Sequence, residues 1–251
     1  MSLGNETNDV WIEKAHGPLD AVYTIIACLA VLGNGLVITV MLLRRRVFNS
    51  FTNRLILHQS FIDSIAGVMF FLHHVVIKAK QISVSFEGSM TDQLSCRLIF
   101  SEFLLWGLYV ASTYNLVMIS LERFMATCHP VKHRNSLSVA KLKFAIGIAW
   151  GTGFIYSSHL ILMLEPREGR CQFIDMETVL IVFLASLVLI VESLVPITIL
   201  TYAYSRILIK LTKKSTNPPN GPRNVMNKAK KNVLVTTMLI GIMFVVCWTP
   251  V

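Results

Sequence analysis

Residues 120–130 read Ser-Leu-Glu-Arg-Phe-Met-Ala-Thr-Cys-His-Pro and end a long apolar segment that begins near residue 98. The stretch places an acid, an arginine and an aromatic residue, Glu122, Arg123 and Phe124, at the end of that segment. Ionisable side chains beside hydrocarbon are costly, so such a pair usually marks a functional site. We therefore interpret this stretch as a switch rather than as part of a packed core.

The composition is that of a membrane protein. Hydrophobic residues make up 54% of the 251 residues and charged residues 15%, whereas an ordinary soluble domain has about 25% charged residues. A spanning helix needs roughly 20 mostly apolar residues. The stretches that qualify are 19–43, 55–77, 98–125, 142–164, 179–209 and 233–251. Because these runs are continuous and not alternating, they predict an all-α membrane bundle after a tail of residues 1–18.

The distribution of basic residues predicts the orientation of the bundle. With the N-terminus outside, 17 of the 23 lysines and arginines fall on the cytoplasmic side, where Glu122 is the one acid. The formal net charge of +9 therefore indicates a membrane topology and not a nucleic-acid binder. The same orientation puts the triplet Asn5-Glu6-Thr7 outside, which predicts glycosylation at Asn5.

The five cysteines predict one disulfide. Cys28 and Cys247 lie within apolar runs, and Cys128 falls on the reducing cytoplasmic side. Cys96 and Cys171 lie in extracellular segments, where disulfides form and persist. Their disulfide would tie the loop between the fourth and fifth spans to the outer end of the third span.

Several short motifs follow one another along the predicted spans. They are Gly33-Asn34, Asp63, Glu122-Arg123-Phe124, His129-Pro130, Trp150, Pro196, Tyr204, Phe244 and Cys247-Trp248-Thr249-Pro250. In this order and spacing the chain resembles the rhodopsin-like (class A) G-protein-coupled receptors, with six of their seven transmembrane helices. The sequence also departs from the family, with Thr113 where isoleucine is frequent and His58 where asparagine is. The interval from Cys96 to Arg123 is slightly long, which predicts either a bulge in the third helix or Cys96 in the loop above it.

The resemblance implies an activation switch. Glu122 and Arg123 would restrain the inactive state, and Arg123 would turn toward Tyr204 and the G protein on activation. The other members of the switch would be Phe124, Pro196, Phe244, Trp248 and Pro250, since prolines bend the fifth and sixth helices. The alternative is an arginine that sets topology and merely reaches the interface.

The resemblance also implies a buried polar site. Asp63 would lie near the middle of the membrane, with Asn34 and Ser112 as its neighbours and an allosteric sodium ion beside it. The alternative is a protonated Asp63 that is only hydrogen-bonded to other helices. Apart from this ion, the sequence predicts no cofactor, and its histidines are scattered without metal-ligand spacing.

The ligand pocket of the family would lie in the upper half of the bundle. Leu105 occupies the position of the amine-binding aspartate of monoamine receptors, which argues against a simple biogenic amine. Other candidate pocket residues are Glu102, Tyr109, Glu192 and Trp248, joined by His73 and His74. We expect a cationic or peptide ligand to pair with Glu102, because an intramembrane acid needs a partner; the alternative is a Glu102 that faces water.

The expected function is a plasma-membrane receptor that binds an extracellular ligand and activates heterotrimeric G proteins. The chain stops one residue after Pro250, so a fragment of a receptor, or a truncated form that is retained or interferes with intact receptors, is the main alternative. A retinal-binding opsin also stays open, because its Schiff-base lysine would lie in the seventh helix. No duplicated half or pore loop favours a transporter or channel, and no hydrolase, metal or phosphate-loop motif favours an enzyme.

Overall fold

The computed structural model describes residues 6–43, 51–77, 89–136, 139–167 and 170–216. The predicted sixth span lies outside these residues, as do Asn5, Phe244, Trp248 and Pro250. The described part contains five helical stretches long and apolar enough to cross a membrane: Pro18–Leu43, Phe51–Ile77, Met90–Cys128, Ala140–Met163 and Thr178–Thr212. Each overlaps one of the first five predicted spans, so the predicted all-α membrane fold is confirmed.

The helices differ from the predicted spans mainly at their ends. They are α1 (Glu6–Leu43), α2 (Phe51–Phe71), α3 (Met90–Ser95), α4 (Phe103–Cys128), α5 (Pro130–Ser136), α6 (Val139–Met163), α7 (Thr178–Val188) and α8 (Val195–Thr216). Thus α1 begins inside the predicted tail of residues 1–18, and α8 runs past residue 209. The third helical stretch starts at Met90 and not near residue 98, because a polar segment capped by Ser89 adds a turn.

Three π-helical segments interrupt these helices: Leu72–Ile77 after α2, Cys96–Phe100 after α3 and Leu189–Leu194 after α7. A π turn pairs residues i and i+5, so each turn holds more residues than an α turn. The long interval between Cys96 and Arg123 is therefore explained by a bulge within the helix, and Cys96 does not lie in a loop.

The described residues form two compact groups. The described residues of the first group are 6–43, 51–77, 89–115, 142–167 and 170–184. Its core is a cluster of four buried residues, Ile62, Ala66, Leu108 and Ala111. Gly153 of α6 lies so close to α4 that an added Cβ would collide with the carbonyl oxygen of Gly107 and lie 2.9 Å from the amide nitrogen of Ala111. Small residues permit such close approach of helix backbones in membranes.

A short hairpin follows α6 in the first group. Strands β1 (Leu164–Arg167) and β2 (Arg170–Phe173) pair antiparallel, with Pro166 opposite Cys171. Cys171 forms a disulfide with Cys96, with Cα atoms 5.6 Å apart. The predicted disulfide is therefore confirmed, whereas the hairpin was not expected from the sequence.

The described residues of the second group are 116–136, 139–141 and 185–216. Its described core packs the last part of α4 against α8 through Val117, Leu200, Tyr204 and Ile207. The short helix α5 follows α4 directly, with the amide of His133 donating to the carbonyl of His129. This helix lies between the predicted third and fourth spans and was not predicted from the sequence.

Candidate functional site

A polar cluster surrounds Asp63 in the first group. Gln59, one turn earlier on α2, donates from Nε2 to both carboxylate oxygens of Asp63, at 2.9 and 3.0 Å. Ser112 of α4 donates from Oγ to Asp63 Oδ1 at 2.6 Å. The structure thus brings together two of the three predicted residues of the polar site. The third, Asn34, donates to the carbonyl oxygen of Ala30 within α1.

The cluster continues as a chain of hydrogen bonds across three helices. Asn115 of α4 donates from Nδ2 to Gln59 Oε1 at 2.8 Å and to the carbonyl oxygen of Leu55 at 3.2 Å. His58 Nδ1 lies 3.0 Å from Asn115 Oδ1, and His58 Nε2 lies 2.7 Å from Trp150 Nε1. An indole N–H only donates, so His58 Nε2 must accept and Nδ1 must carry the hydrogen. The polar side chains in this region therefore satisfy one another.

Gln59 and Asn115 were not singled out from the sequence, although both had a signal. Gln59 lies four residues before Asp63 and shares its helix face, and Asn115 lies inside a predicted membrane span, three residues after Ser112. Both are buried, with Asn115 fully so. A polar residue inside a membrane helix faces the bundle interior, but sequence spacing within one helix does not reveal which residue of another helix it meets.

The sodium ion that the family implies does not fit this arrangement. The oxygens that would bind it belong to Asp63 and Ser112, and oxygen ligands do suit a hard cation. However, Gln59 Nε2 lies 2.9 and 3.0 Å from the Asp63 oxygens and 2.5 Å from Ser112 Oγ. This amide nitrogen, a donor, therefore stands among the same three oxygens that a cation would need.

The Glu122–Arg123 pair lies near the end of α4 in the second group. Arg123 Nε is 3.8 Å from Glu122 Oε2, and His133 Nε2 of α5 is 3.0 Å from Glu122 Oε1. The side chain of Glu122 is 8% exposed, whereas that of Arg123 is 52% exposed. Glu122 therefore has two cationic or potentially cationic neighbours, and the second, His133, was not anticipated from the sequence.

The neighbouring predicted switch residues pack in the same group. The hydroxyls of Tyr204 and Ser120 are hydrogen-bonded at 3.2 Å, and Tyr204 is buried. Phe124 packs against the core of this group, with its ring 5.9 Å from that of Tyr202. Pro196 is also fully buried. Arg123 and Tyr204 thus belong to one compact group.

The predicted pocket residues have different environments. In the first group, Leu105 is buried and Tyr109 packs beside the core. Glu102 precedes α4 with φ of 59°, a left-handed backbone that favours glycine, and its Oε1 is 3.3 Å from His73 Nδ1. In the second group, Glu192 is buried within the third π segment. Trp248 lies outside the described residues.

The outer surface of the helices is apolar. Leu29, Leu32 and Ile155 are 69%, 71% and 77% exposed. A soluble monomer rarely exposes so much apolar surface, whereas lipid covers it at no cost. Together with the five helices of spanning length, these faces define a multi-pass helical membrane protein.

Comparison with known proteins identifies the family. The family described as "7 transmembrane receptor (rhodopsin family)" matches residues 33–251. The chain therefore belongs to the rhodopsin family of seven-transmembrane receptors, the class A G-protein-coupled receptors, and these receptors are not enzymes.

Three receptors illustrate how distant the similar proteins are. The trissin receptor of Drosophila melanogaster is 28% identical over 77% of this chain and 29% of its own length. The galanin receptor 2b of Danio rerio is 22% identical over 100% of the chain and 64% of its own. The melatonin receptor type 1B-B of Danio rerio is 25% identical over 99% and 69%. The chain thus spans less than two thirds of the length of the first two.

Proposed function

We propose that this chain acts at the plasma membrane as a receptor that binds an extracellular ligand and activates heterotrimeric G proteins through the end of α4. The observation that supports this most is the restraint on Glu122, a nearly buried acid beside Arg123 and His133. An acid with two partners that can be released is a two-state element, and a ligand that binds one state better shifts its population.

Activation then releases Arg123 from Glu122. The Arg123 guanidinium is already half exposed at 3.8 Å from the carboxylate, so the pair is weak and little is lost on separation. The same group contains Tyr204, whose hydroxyl can exchange its bond with Ser120 for one with Arg123. A basic surface around this end would complement an acidic partner and speed its association.

Basal nucleotide exchange on purified heterotrimeric G proteins tests this proposal without a known ligand. The 251-residue chain in lipid nanodiscs is compared with Arg123→Ala and with Arg134→Ala, an exposed arginine of α5. We expect Arg123→Ala to lower exchange at least tenfold and Arg134→Ala to change it less than twofold, with equal helicity in all three samples. Equal exchange by Arg123→Ala and the unchanged chain would contradict the proposal.

The proposed ligand is peptide-like and carries a basic group. Three of the similar proteins are receptors named for trissin, galanin and neuropeptide S. Leu105 is 2% exposed and apolar, so it cannot bind an amine as an aspartate would. Glu102, with its side chain 24% exposed, supplies a carboxylate that a ligand can reach.

A screen of basic peptides for stimulated nucleotide exchange identifies a peptide with which the proposed pairing to Glu102 can be tested. Melatonin is included because melatonin receptors are also similar. For an active peptide, Glu102→Gln should lower potency at least tenfold, and replacing the basic group of the peptide should have the same effect. Undiminished potency at Glu102→Gln would refute the pairing.

A further inference from the structure

We propose that His73, His74 and Glu102 form a binding site for a divalent transition-metal ion, with zinc as the best fit. One ligand atom from each of the three side chains lies within 4.8 Å of the other two. All three residues belong to the first compact group. The inference goes beyond the proposed function and does not depend on it, because metal binding is measured without ligand or G protein.

The distance between two of the ligand atoms already matches that of a bound site. Zinc bonds to imidazole nitrogen and carboxylate oxygen are about 2.0–2.1 Å long, so two ligand atoms at a tetrahedral zinc ion are about 3.4 Å apart. His73 Nδ1 and Glu102 Oε1 are already 3.3 Å apart. The ligand atom of His74 lies within 4.8 Å of both, so His74 would have to shift toward them on binding the metal.

The ligand chemistry selects the metal. Imidazole favours zinc, copper and nickel over magnesium and calcium, which prefer all-oxygen sites. Two histidines and one glutamate leave a fourth position open, which is the ligand set of a zinc ion that also accepts water or another group. His73 is nearly buried at 8% exposure and Glu102 is at 24%, so the site is shielded yet accessible from one side.

Two irregularities of the backbone create the cluster. His73 and His74 are consecutive, and the π turn of Leu72–Ile77 keeps neighbouring side chains closer to one face than an α turn does, with ring centroids 5.4 Å apart. On the other helix, Glu102 adopts a left-handed φ of 59° between the π segment Cys96–Phe100 and α4. Strained backbone of this kind concentrates at functional sites.

The surroundings of His74 select the tautomer that a metal ligand needs. Its Nδ1 lies 3.3 Å from the carbonyl oxygen of Phe70, which only accepts, so Nδ1 carries the hydrogen and Nε2 carries the lone pair. The ring also stacks on Phe70, with centroids 4.4 Å apart, and contacts Tyr23 edge-on. A histidine that binds a metal through one ring nitrogen usually donates the N–H of its other ring nitrogen to a group such as a backbone carbonyl.

Direct zinc binding tests the site. The 251-residue chain, purified in nanodiscs and stripped with a chelator, is titrated with Zn²⁺ by calorimetry and with Co²⁺ by visible absorption. The variants are His74→Gln, Glu102→Gln and Glu102→His. The matched control is His159→Gln, a half-buried histidine of α6 outside the cluster.

We expect one Zn²⁺ per chain and a Co²⁺ spectrum of a four- or five-coordinate nitrogen and oxygen site. Loss of a supporting residue outside the ligand set typically costs 10–100-fold in metal affinity, so loss of a ligand in His74→Gln or Glu102→Gln should weaken binding at least about tenfold. Glu102→His replaces one ligand with another and should retain binding, as should His159→Gln.

Two outcomes would overturn the proposal. One is an affinity that is the same in the unchanged chain and in folded His74→Gln and Glu102→Gln. The other is a Co²⁺ spectrum of an octahedral, water-rich ion in the unchanged chain. Because Glu102→His preserves a ligand while Glu102→Gln preserves shape and hydrogen bonding, a loss confined to Glu102→Gln and His74→Gln cannot arise from misfolding common to all variants.

Discussion

Replacing Asn115 with leucine tests whether the polar chain from Trp150 to Asp63 holds the first group together. Asn115 is fully buried and participates in three hydrogen bonds, with Leu55, Gln59 and His58. Leucine has a similar shape and can make none of these bonds. The substitution therefore removes the partner of the His58 Nδ1–H and of the side-chain oxygen Oε1 of Gln59.

The magnitude follows from hydrogen bonds measured inside membranes. Such bonds average about 0.6 kcal/mol and reach about 1.7 kcal/mol each. Three of them give an expected loss of about 2 kcal/mol, with about 5 kcal/mol as the upper bound. A double-mutant cycle with Gln59→Leu should be non-additive, because the two residues share one bond and one network.

The assay is reversible unfolding in mixed micelles, followed by circular dichroism as denaturing detergent is added. Ser158→Ala is the matched control, because its exposed hydroxyl donates to the carbonyl of Ile155 within α6. We expect the control to change the free energy of unfolding by less than about 0.5 kcal/mol. An Asn115→Leu loss no larger than that of the control, or strict additivity with Gln59→Leu, would refute the reasoning.

Three further predictions concern other sites. Gly153→Ala should destabilise the chain by about 1–3 kcal/mol, because the added Cβ would meet the backbone of Gly107 and Ala111. The control Gly151→Ala, whose Cβ would have nothing within 4 Å, should leave the free energy of unfolding unchanged in the same assay. Replacing sodium with choline should leave the thermal midpoint of the unchanged chain constant. In Gln59→Ala, sodium should raise the thermal midpoint, because the Gln59 amide no longer stands among the oxygens of Asp63 and Ser112. A sodium effect equal in both proteins would contradict this prediction. His133→Ala should raise basal nucleotide exchange several-fold relative to Lys132→Ala, because Glu122 loses its neighbour at 3.0 Å, and an unchanged basal rate would show that His133 does not restrain Glu122.

The first five spans and the disulfide could be predicted because they depend on local composition and on topology. Twenty apolar residues identify a membrane helix wherever it packs, and Cys96 and Cys171 were the two cysteines left on the oxidising side. The contacts of Asp63 with Ser112 and of Glu122 with Arg123 followed from family positions, and the structure brings both pairs together.

The remaining partners depend on geometry that sequence spacing does not encode. Gln59 and Asn115 meet across helices, so their pairing is set by how closely α2 and α4 approach. His133 reaches Glu122 because α5 folds back directly after α4. His73, His74 and Glu102 were expected together in a ligand pocket but not as a metal cluster, because metal-ligand spacing rules assume regular helices, whereas here a π turn and a left-handed residue bring them together.

The π segment at Cys96–Phe100 also has a consequence for sequence change over evolutionary time. A π turn holds about one residue more than an α turn, so a single deletion there would form an ordinary α turn and leave the helix on both sides in nearly the same orientation. Cys96 would still face Cys171, and the hairpin would keep its covalent anchor. A second deletion would remove a residue from a regular α turn and rotate Cys96 by about 100°, the angle per residue of a helix with 3.6 residues per turn, so this turn should tolerate the loss of one residue in its descendants and not of two.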